Sequence, residues 1–465
     1  MRIMDRTAEQ LATYAQRLRY SDLSPGAVHA VKRSVVDSIG CALGAFDAEP
    51  MQAVRVVASR VSATAPATVI GTNIRTSPEW AALANGAMVR YLDFSDDYFG
   101  GHGDVGPHPS DNIGALLAAV ESTCLNGKAL VVSVALAYEV CAQLLDQFSV
   151  YGNGWDYPIL HSISTALAVG NVIGLTDDQM RNALGIAVVS NVCLAETRLG
   201  EISNWKGIAG PNGSRSGLLA ALLAKEGITG PHAPFEGHAG LAKQLKCSFS
   251  LNTFGGGNTP FKVEGTFFKH LPVGYGIQLP VAIALQLRDR VRLDDIESIC
   301  VHVDKRAVVD RAFHPNLWNP TSRETADHSA PYLIAAALVD GHITHETFTP
   351  ARYRDPAILS LTQKIRMAED PQYSAIFPRA IECRFEVALN SGAVVTVRQQ
   401  NPKGHPANPM SDQELEAKFL RQIAGTIDES QSRALLDALW NLEKLDGLNE
   451  LFPLMRTPKA SLTPD

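Results

Sequence analysis

Two stretches of the chain, NGKALVVSVALAYEVCAQLL at 126–145 and ILHSISTALAVGNVIGL at 159–175, are apolar nearly all round. A helix with no polar face must be covered on every side, so these two demand a surrounding layer of other helices. The neighbouring sequence supplies candidates. SPGAVHAVKRSVVDSIGCALG opens with Ser24 as N-cap and Pro25 at the first helical position, and SPEWAALANGAMVRYLDF repeats that pattern from Ser77. HPSDNIGALLAAVES offers Ser110 or Asp111 as a cap, TDDQMRNALGIAVVSNV opens at Thr176, and GSRSGLLAALLAKEGIT closes the series near Gly227. Ala, Gly and Ser dominate these faces, which permits close helix packing.

The texture changes after residue 266. IESICVHVD alternates like a half-buried strand, and AIECRFEVALNSGAVVTVRQQ is two alternating runs around Asn390-Ser391-Gly392, a hairpin signal. APYLIAAALVDGHI and PAILSLTQKIRM read as helices, so residues 267–402 form an α+β block. The Pro- and Gly-rich loop NPKGHPANPMS follows, and then two more helices, SDQELEAKFLRQIAG and ESQSRALLDALWNLEKL. A chain of 465 residues exceeds the usual size of one core. The expectation is a mainly α protein: a helical domain built from 1–266 and 403–465, with a smaller α+β domain, 267–402, between them.

Composition removes several classes of function. The net charge is −7 and no basic face stands out, so nucleic acid is not an expected partner. No signal peptide is evident, and no apolar run reads as long enough to span a bilayer, so no membrane partner is expected. The seven cysteines are scattered without a CxxC or a Cys/His ligand spacing, which disfavours local zinc and iron–sulfur motifs and suits a reduced, cytoplasmic protein.

One segment resists a structural explanation. YLDFSDDYFGGHGDVGPHPSDN, residues 91–112, holds Asp93, Asp96, Asp97, Asp104 and Asp111 with His102 and His108. It joins two predicted helices, where a loop is well placed to carry chemistry. Three readings stand side by side. The acids cap helix ends; they bind a cation, although the spacing matches neither an EF-hand nor a DDxxD run; or His108 and Asp93 perform acid–base work.

The motifs NGAMVRYLDFSDD, HPSDNIGALLA, WKGIAGPNGSRSG, PFEGHAG, FFKHLPVGYGIQLPVAIAL, NPTSRETADHSAPYLIAAALVDG and PKGHPANPMSDQELEAKF occur in the order found in the MmgE/PrpD family, and the chain resembles that family over most of its length. The family contains 2-methylcitrate dehydratases, cis-aconitate decarboxylases and iminodisuccinate epimerases. The resemblance implies a large helical domain from both chain ends with an α+β lid, a homodimer through the helical domain, and a small-molecule carboxylate as substrate. A dehydratase of this kind serves propionate metabolism.

By motif, the resemblance places the catalytic residues at Asp93, His108, Lys206 and Lys269, with Lys269 reaching the site from the lid. Asp97 stands where the decarboxylase branch has Thr. Tyr157 falls near a position where many members have His, Ala209 occupies another such position, and Tyr275 stands where the lid often has His. Asp97, Tyr157, Tyr275 and Arg215, a candidate third cation, are the expected substrate-binding residues. His161, in an apolar helix, reads as a core histidine, and His328 as a cap for the helix that follows.

The chemistry suits those residue types. Removing water from a citrate-like acid takes a proton next to a carboxylate, and fixed cations stabilise the enediolate that develops. A histidine poised near neutral serves as the base. The expected enzyme is a hydro-lyase that uses no metal and no organic cofactor. Its rivals are a decarboxylase or epimerase of the same family, and a non-catalytic carboxylate-binding paralogue.

Overall fold

In the computed structural model, which describes residues 4–102, 106–150, 154–251, 253–307 and 315–458, the two all-apolar segments are helices Gly127–Leu145 and Pro158–Val172, packed on each other. Around them lie Arg6–Arg17, Pro25–Gly44, Pro78–Tyr91, Ile113–Ser122, Asp177–Val189 and Lys206–Lys225. Some caps form where the sequence places them, whereas Ser77 makes no capping hydrogen bond and Asn112, not Ser110 or Asp111, stands at the cap position of Ile113–Ser122. Ser24 accepts from Ala27 N, Thr176 and Gln179 close a capping box, and Asn126 starts the helix of 127–145. Helix Asp412–Ile423 packs on Pro25–Gly44, so both ends of the chain contribute to this unit. It also contains one short antiparallel ladder, Ala67–Thr68 against Arg75–Thr76, and so is not wholly helical.

Contacts divide the chain into two units: Met1–Ala195, Gly207–Thr266 and Ser411–Asp465 on one hand, and Glu196–Lys206 with Phe267–Met410 on the other. The second unit thus takes 196–206 and 403–410 besides the block read from the sequence. Its loop is held by Gly404 N donating to Asn408 O and by the His405 ring against Phe267. The unit is built on a four-stranded sheet in the order Ile365–Glu369, Ile296–Val303, Glu382–Leu389, Val394–Gln400. The first pair is parallel and the others antiparallel. The hairpin turn needs Gly392, whose φ is 84°. Ile299, Val301, Phe385 and Val387 are buried, and helix Gln278–Leu287 packs on the sheet with Ala330–Asp340 against that helix.

Two expectations are corrected. PAILSLTQKIRM is not one helix: it is helix Pro356–Thr362 followed by strand Ile365–Glu369, because a parallel partner claims the second half. The second helix around Arg215 starts at Lys206, not at the GSRSG motif. Its glycines are contact points: a Cβ on Gly217 would lie 2.3 Å from Ser162 O. On membrane spanning, helix Gly127–Leu145 does reach the length and hydropathy needed, yet 89% of that window is buried inside the molecule, as in a core helix.

Candidate active site

In the first unit the opening Asp/His segment begins where helix Pro78–Tyr91 ends. Asp93 adopts a φ of 52°, a left-handed conformation unusual for a residue other than glycine, and is 1% exposed. Its Oδ1 accepts from Arg90 Nη1 at 2.6 Å, one helical turn back. Burial alone would lower the Arg90 pKa, but Tyr157, Asp93 and Asp111 outweigh it and hold the guanidinium firmly cationic. His108 is 2% exposed, with Nε2 3.8 Å from Asp93 Oδ1.

The other ring nitrogen fixes the tautomer. His108 Nδ1 lies 2.5 Å from the carbonyl oxygen of Asp96. A carbonyl only accepts, so Nδ1 carries the proton, and in the neutral ring Nε2 is the proton acceptor. The Asp96 side chain accepts from Ser110 N at 3.2 Å, two residues past His108. Burial raises the Asp96 carboxyl to about 6, against hydrogen bonds from Ser110 and Tyr138 that lower it.

Tyr157 and His161 extend the cluster. The Tyr157 ring meets His108 edge-on at 5.9 Å and His161 at 5.1 Å, and its hydroxyl accepts from Arg90 Nε at 3.3 Å. His161 Nδ1 stands 3.5 Å from Asp111 Oδ2, both fully buried. Asp111 is therefore no helix cap: it lies in a 3-10 turn, Pro109–Asn112, and faces a histidine. Asp97 is buried, and its Oδ1 accepts from Tyr98 N and Gly106 N, so it shapes the loop. His102 is exposed, and Asp104 lies outside the described residues.

Arg215 is placed elsewhere. It bonds Asn212 and stacks over Trp80 at 5.5 Å. Trp80 sits at the start of the helix whose other end carries Arg90, about 15 Å away along the helix axis. Arg90 is the cation that the cluster contains and that sequence reasoning missed. Its signal was a lone Arg in an apolar helix, three residues before Asp93. His161 is a core residue, as its apolar helix implies, and it also lies one turn from Tyr157, the N-cap residue of that helix.

The second unit holds the lysines. Lys206 is 3% exposed, and its Nζ donates to Asp327 Oδ1 at 3.0 Å and lies 3.1 Å from His328 Nδ1. Burial would raise the Asp327 carboxyl, but Lys206, His328 and Arg323 overcome this and hold it down at about 2. His328 pairs with Asp327 and does not cap the next helix; Ser329 does, accepting from Tyr332 N. Gly274 N donates to Asp327 O, which ties the turn of Tyr275 to this group. Lys269 is 1% exposed at the head of the same loop. Gln278 staples that loop through Leu271 and Val273, and Tyr275 packs on Phe267 at 4.6 Å.

Cys300, His302 and Glu386 form a half-buried trio on the outer face of the sheet. Arg366 donates to Cys300 Sγ and Arg384 pairs with Glu386, so a cation there would compete with two guanidinium groups.

Family models match the chain along nearly its whole length. The MmgE/PrpD N-terminal domain matches residues 9–253 and the MmgE/PrpD C-terminal domain residues 271–444. The chain belongs to the MmgE/PrpD family. It is 25% identical over 473 residues to human cis-aconitate decarboxylase, covering 97% of this chain and 94% of that protein. It is 27% identical over 484 residues to 2-methylcitrate dehydratase of Salmonella typhimurium, covering 96% and 95%. A mitochondrial 2-methylcitrate dehydratase of Yarrowia lipolytica is 26% identical over 478 residues, covering 93% and 87%. Dehydratases and a decarboxylase thus stand at nearly equal distance.

Proposed function

We propose that this MmgE/PrpD protein is a hydro-lyase acting on a small di- or tricarboxylate, of the 2-methylcitrate type. The observation that carries the reading is the buried His108, held with Nδ1–H on the Asp96 carbonyl and Nε2 beside Asp93. In this mechanism Nε2 takes the proton next to a substrate carboxylate, and the electron pair moves into that carboxylate. Lys206 and Lys269 hold the developing charge without reorganising. The pair then returns to form the double bond as the hydroxyl leaves, protonated by Tyr157 or Tyr275. Asp93 supports the imidazolium, and Asp97 keeps the loop in shape. Arg90, paired with Asp93, supplies the cation beside His108 in place of Arg215, the expected third substrate-binding cation. The protein is proposed to be cytoplasmic and to need no metal or organic cofactor.

A decarboxylase on the same residues is the second reading, and the equal distance to human cis-aconitate decarboxylase favours keeping it. An epimerase needs a proton donor on each face of one carbon. Incubating the protein with a panel of citrate-like acids in deuterated water and following by NMR separates the three. Loss of water is the expected result. Loss of carbon dioxide, or deuterium exchange alone, would replace the dehydratase reading with one of the others. Activity is expected to survive exhaustive chelation, and loss with EDTA restored by magnesium would return the Asp cluster to a metal role.

A further inference from the structure

Beneath the His108 loop lies a second charged layer that the mechanism above does not use. Lys418, on helix Asp412–Ile423, is fully buried. Its ammonium contacts Asp37 Oδ1 at 2.6 Å, donates to the backbone carbonyl of Phe94 at 2.6 Å, and stands 4.0 Å over the Phe94 ring. Asp37 is also buried, 1% exposed, on helix Pro25–Gly44. Phe94 directly follows Asp93, the residue in the left-handed conformation, and precedes Asp96, whose carbonyl fixes the His108 tautomer. Asp37 acts electrostatically on Asp96 and Tyr138, and the buried Tyr138 in turn acts on the Asp96 carboxyl. A polar layer therefore runs from two helices at opposite ends of the chain to the backbone that follows Asp93.

Such a layer is costly to build. Two buried charges must lose their hydration, and replacing a pair of this kind by apolar residues is often neutral or stabilising. A residue held at positive φ is also strained, and persists only where its surroundings enforce it. The two costs meet at one peptide unit, the carbonyl of Phe94. An ammonium on that carbonyl fixes the direction of the chain immediately after Asp93. It leaves the Asp96 carbonyl, two residues on, pointed at His108 Nδ1.

We propose that Lys418, with Asp37, is a positioning residue: it clamps the Phe94 carbonyl, holds Asp93 in its left-handed conformation, and so sets the tautomer and orientation of His108. The proposal rests on the reading of His108 as the proton-transfer group only for its effect on turnover. Its structural half stands by itself.

The test uses the full-length protein labelled with 15N-histidine, with His108→Gln assigning the His108 signals. Lys418→Met alone leaves Asp37 buried and uncompensated and is at risk of not folding. The informative variant is therefore Asp37→Asn with Lys418→Met, which removes both charges and keeps the volume, with folding checked by circular dichroism. The expected wild-type spectrum shows His108 protonated at Nδ1. The double variant should show a mixture of tautomers, and turnover about ten- to a hundredfold lower with KM changed much less, the scale of a misplaced catalytic group. Lys418→Arg, which keeps a donor for the Phe94 carbonyl, should restore part of the turnover. A folded double variant whose His108 signals match the wild type would overturn the clamp. If the wild type acts on no acid of the panel, the functional reading fails, while the His108 spectra still decide the role of Lys418.

Discussion

Asp93 and His108 show why the opening segment carries so many acids. Asp93 pairs with Arg90 and supports His108, Asp96 anchors the turn after His108, Asp97 holds the loop backbone, and Asp111 faces His161. Different carboxylates meet different local needs. If His108 moves the proton, His108→Ala should lower turnover by about a hundredfold or more, the usual scale for a lost acid–base group. His102→Ala should change little, because His102 is exposed at the loop tip. Both are measured at saturating substrate with folding confirmed, and near-normal turnover in His108→Ala would remove it from the mechanism. Asp327 gives a pH prediction. Its folded pKa lies below its ordinary value of 3.8, at about 2, so the unfolded chain binds the proton more readily. The stabilisation is fully present above about pH 4, the ordinary carboxyl value, and is lost as pH falls below it. Urea midpoints of wild type and Asp327→Asn, compared across that range, should converge at the acid end. A gap that stays constant would refute the pairing as its source.

At the scale of elements, the helix Lys206–Lys225 shows how close packing positions a polar group. It carries Gly207, Gly210, Gly213 and Gly217, with Pro211 among them. A Cβ on Gly210 would stand 1.9 Å from Asp111 Oδ2, so the helix backbone itself forms one wall around that carboxylate. Gly210→Ala should then displace Asp111 from His161 or the helix from its seat, at a cost of about 1–3 kcal/mol, the range for overpacking a tight contact. Gly207→Ala is the control, since its Cβ would meet Tyr91 only at an ordinary 3.6 Å. Thermal melts of the two variants test this, and equal melting temperatures would show that the contact relaxes freely. The same helix explains the misread start. Gly and Pro in sequence mark a loop, and only neighbours through space, the turn at Asp111 and the helix Pro158–Val172, turn them into contact sites.

For the whole molecule, several exposed apolar side chains of the first unit fall between residues 189 and 228. Val189, Val192, Leu194, Leu219, Leu223 and Ile228 are each at least 37% exposed, Val192 at 78%. Ala187 and Ala220 share a buried cluster with Ala166, and Val189, Leu219 and Leu223 lie on the helices that carry those two alanines. Apolar patches of this kind mark interaction surfaces. We propose that a second copy of the chain covers this one, as the family resemblance implies. Light scattering after size exclusion should give twice the 50.1 kDa chain mass, and Leu223→Glu should reduce it to the single value. A wild-type protein that is monomeric at micromolar concentration would reject this partner.

The sequence by itself determined most of the helices, the caps at Ser24 and Thr176, the hairpin and the switch from helical to α+β texture, because periodicity, N-cap chemistry and turn residues act over a few positions. It also determined the family, through motifs kept in order. It placed Asp93, His108, Lys206 and Lys269 as the residues to watch, and each of them is buried. Tertiary structure alone decided the partners. Arg90 on Asp93, Tyr157 between two histidines, Asp111 on His161, Asp327 on Lys206 and Lys418 on the Phe94 carbonyl each join distant segments, or depend on a loop conformation that distant segments enforce. The strand Ile365–Glu369 is of the same kind: too short to show a period, it exists because Ile296–Val303 offers it a parallel edge. Local preference is encoded in neighbours along the chain. Charge pairing and edge pairing are encoded in neighbours through space, and only the folded molecule brings those together.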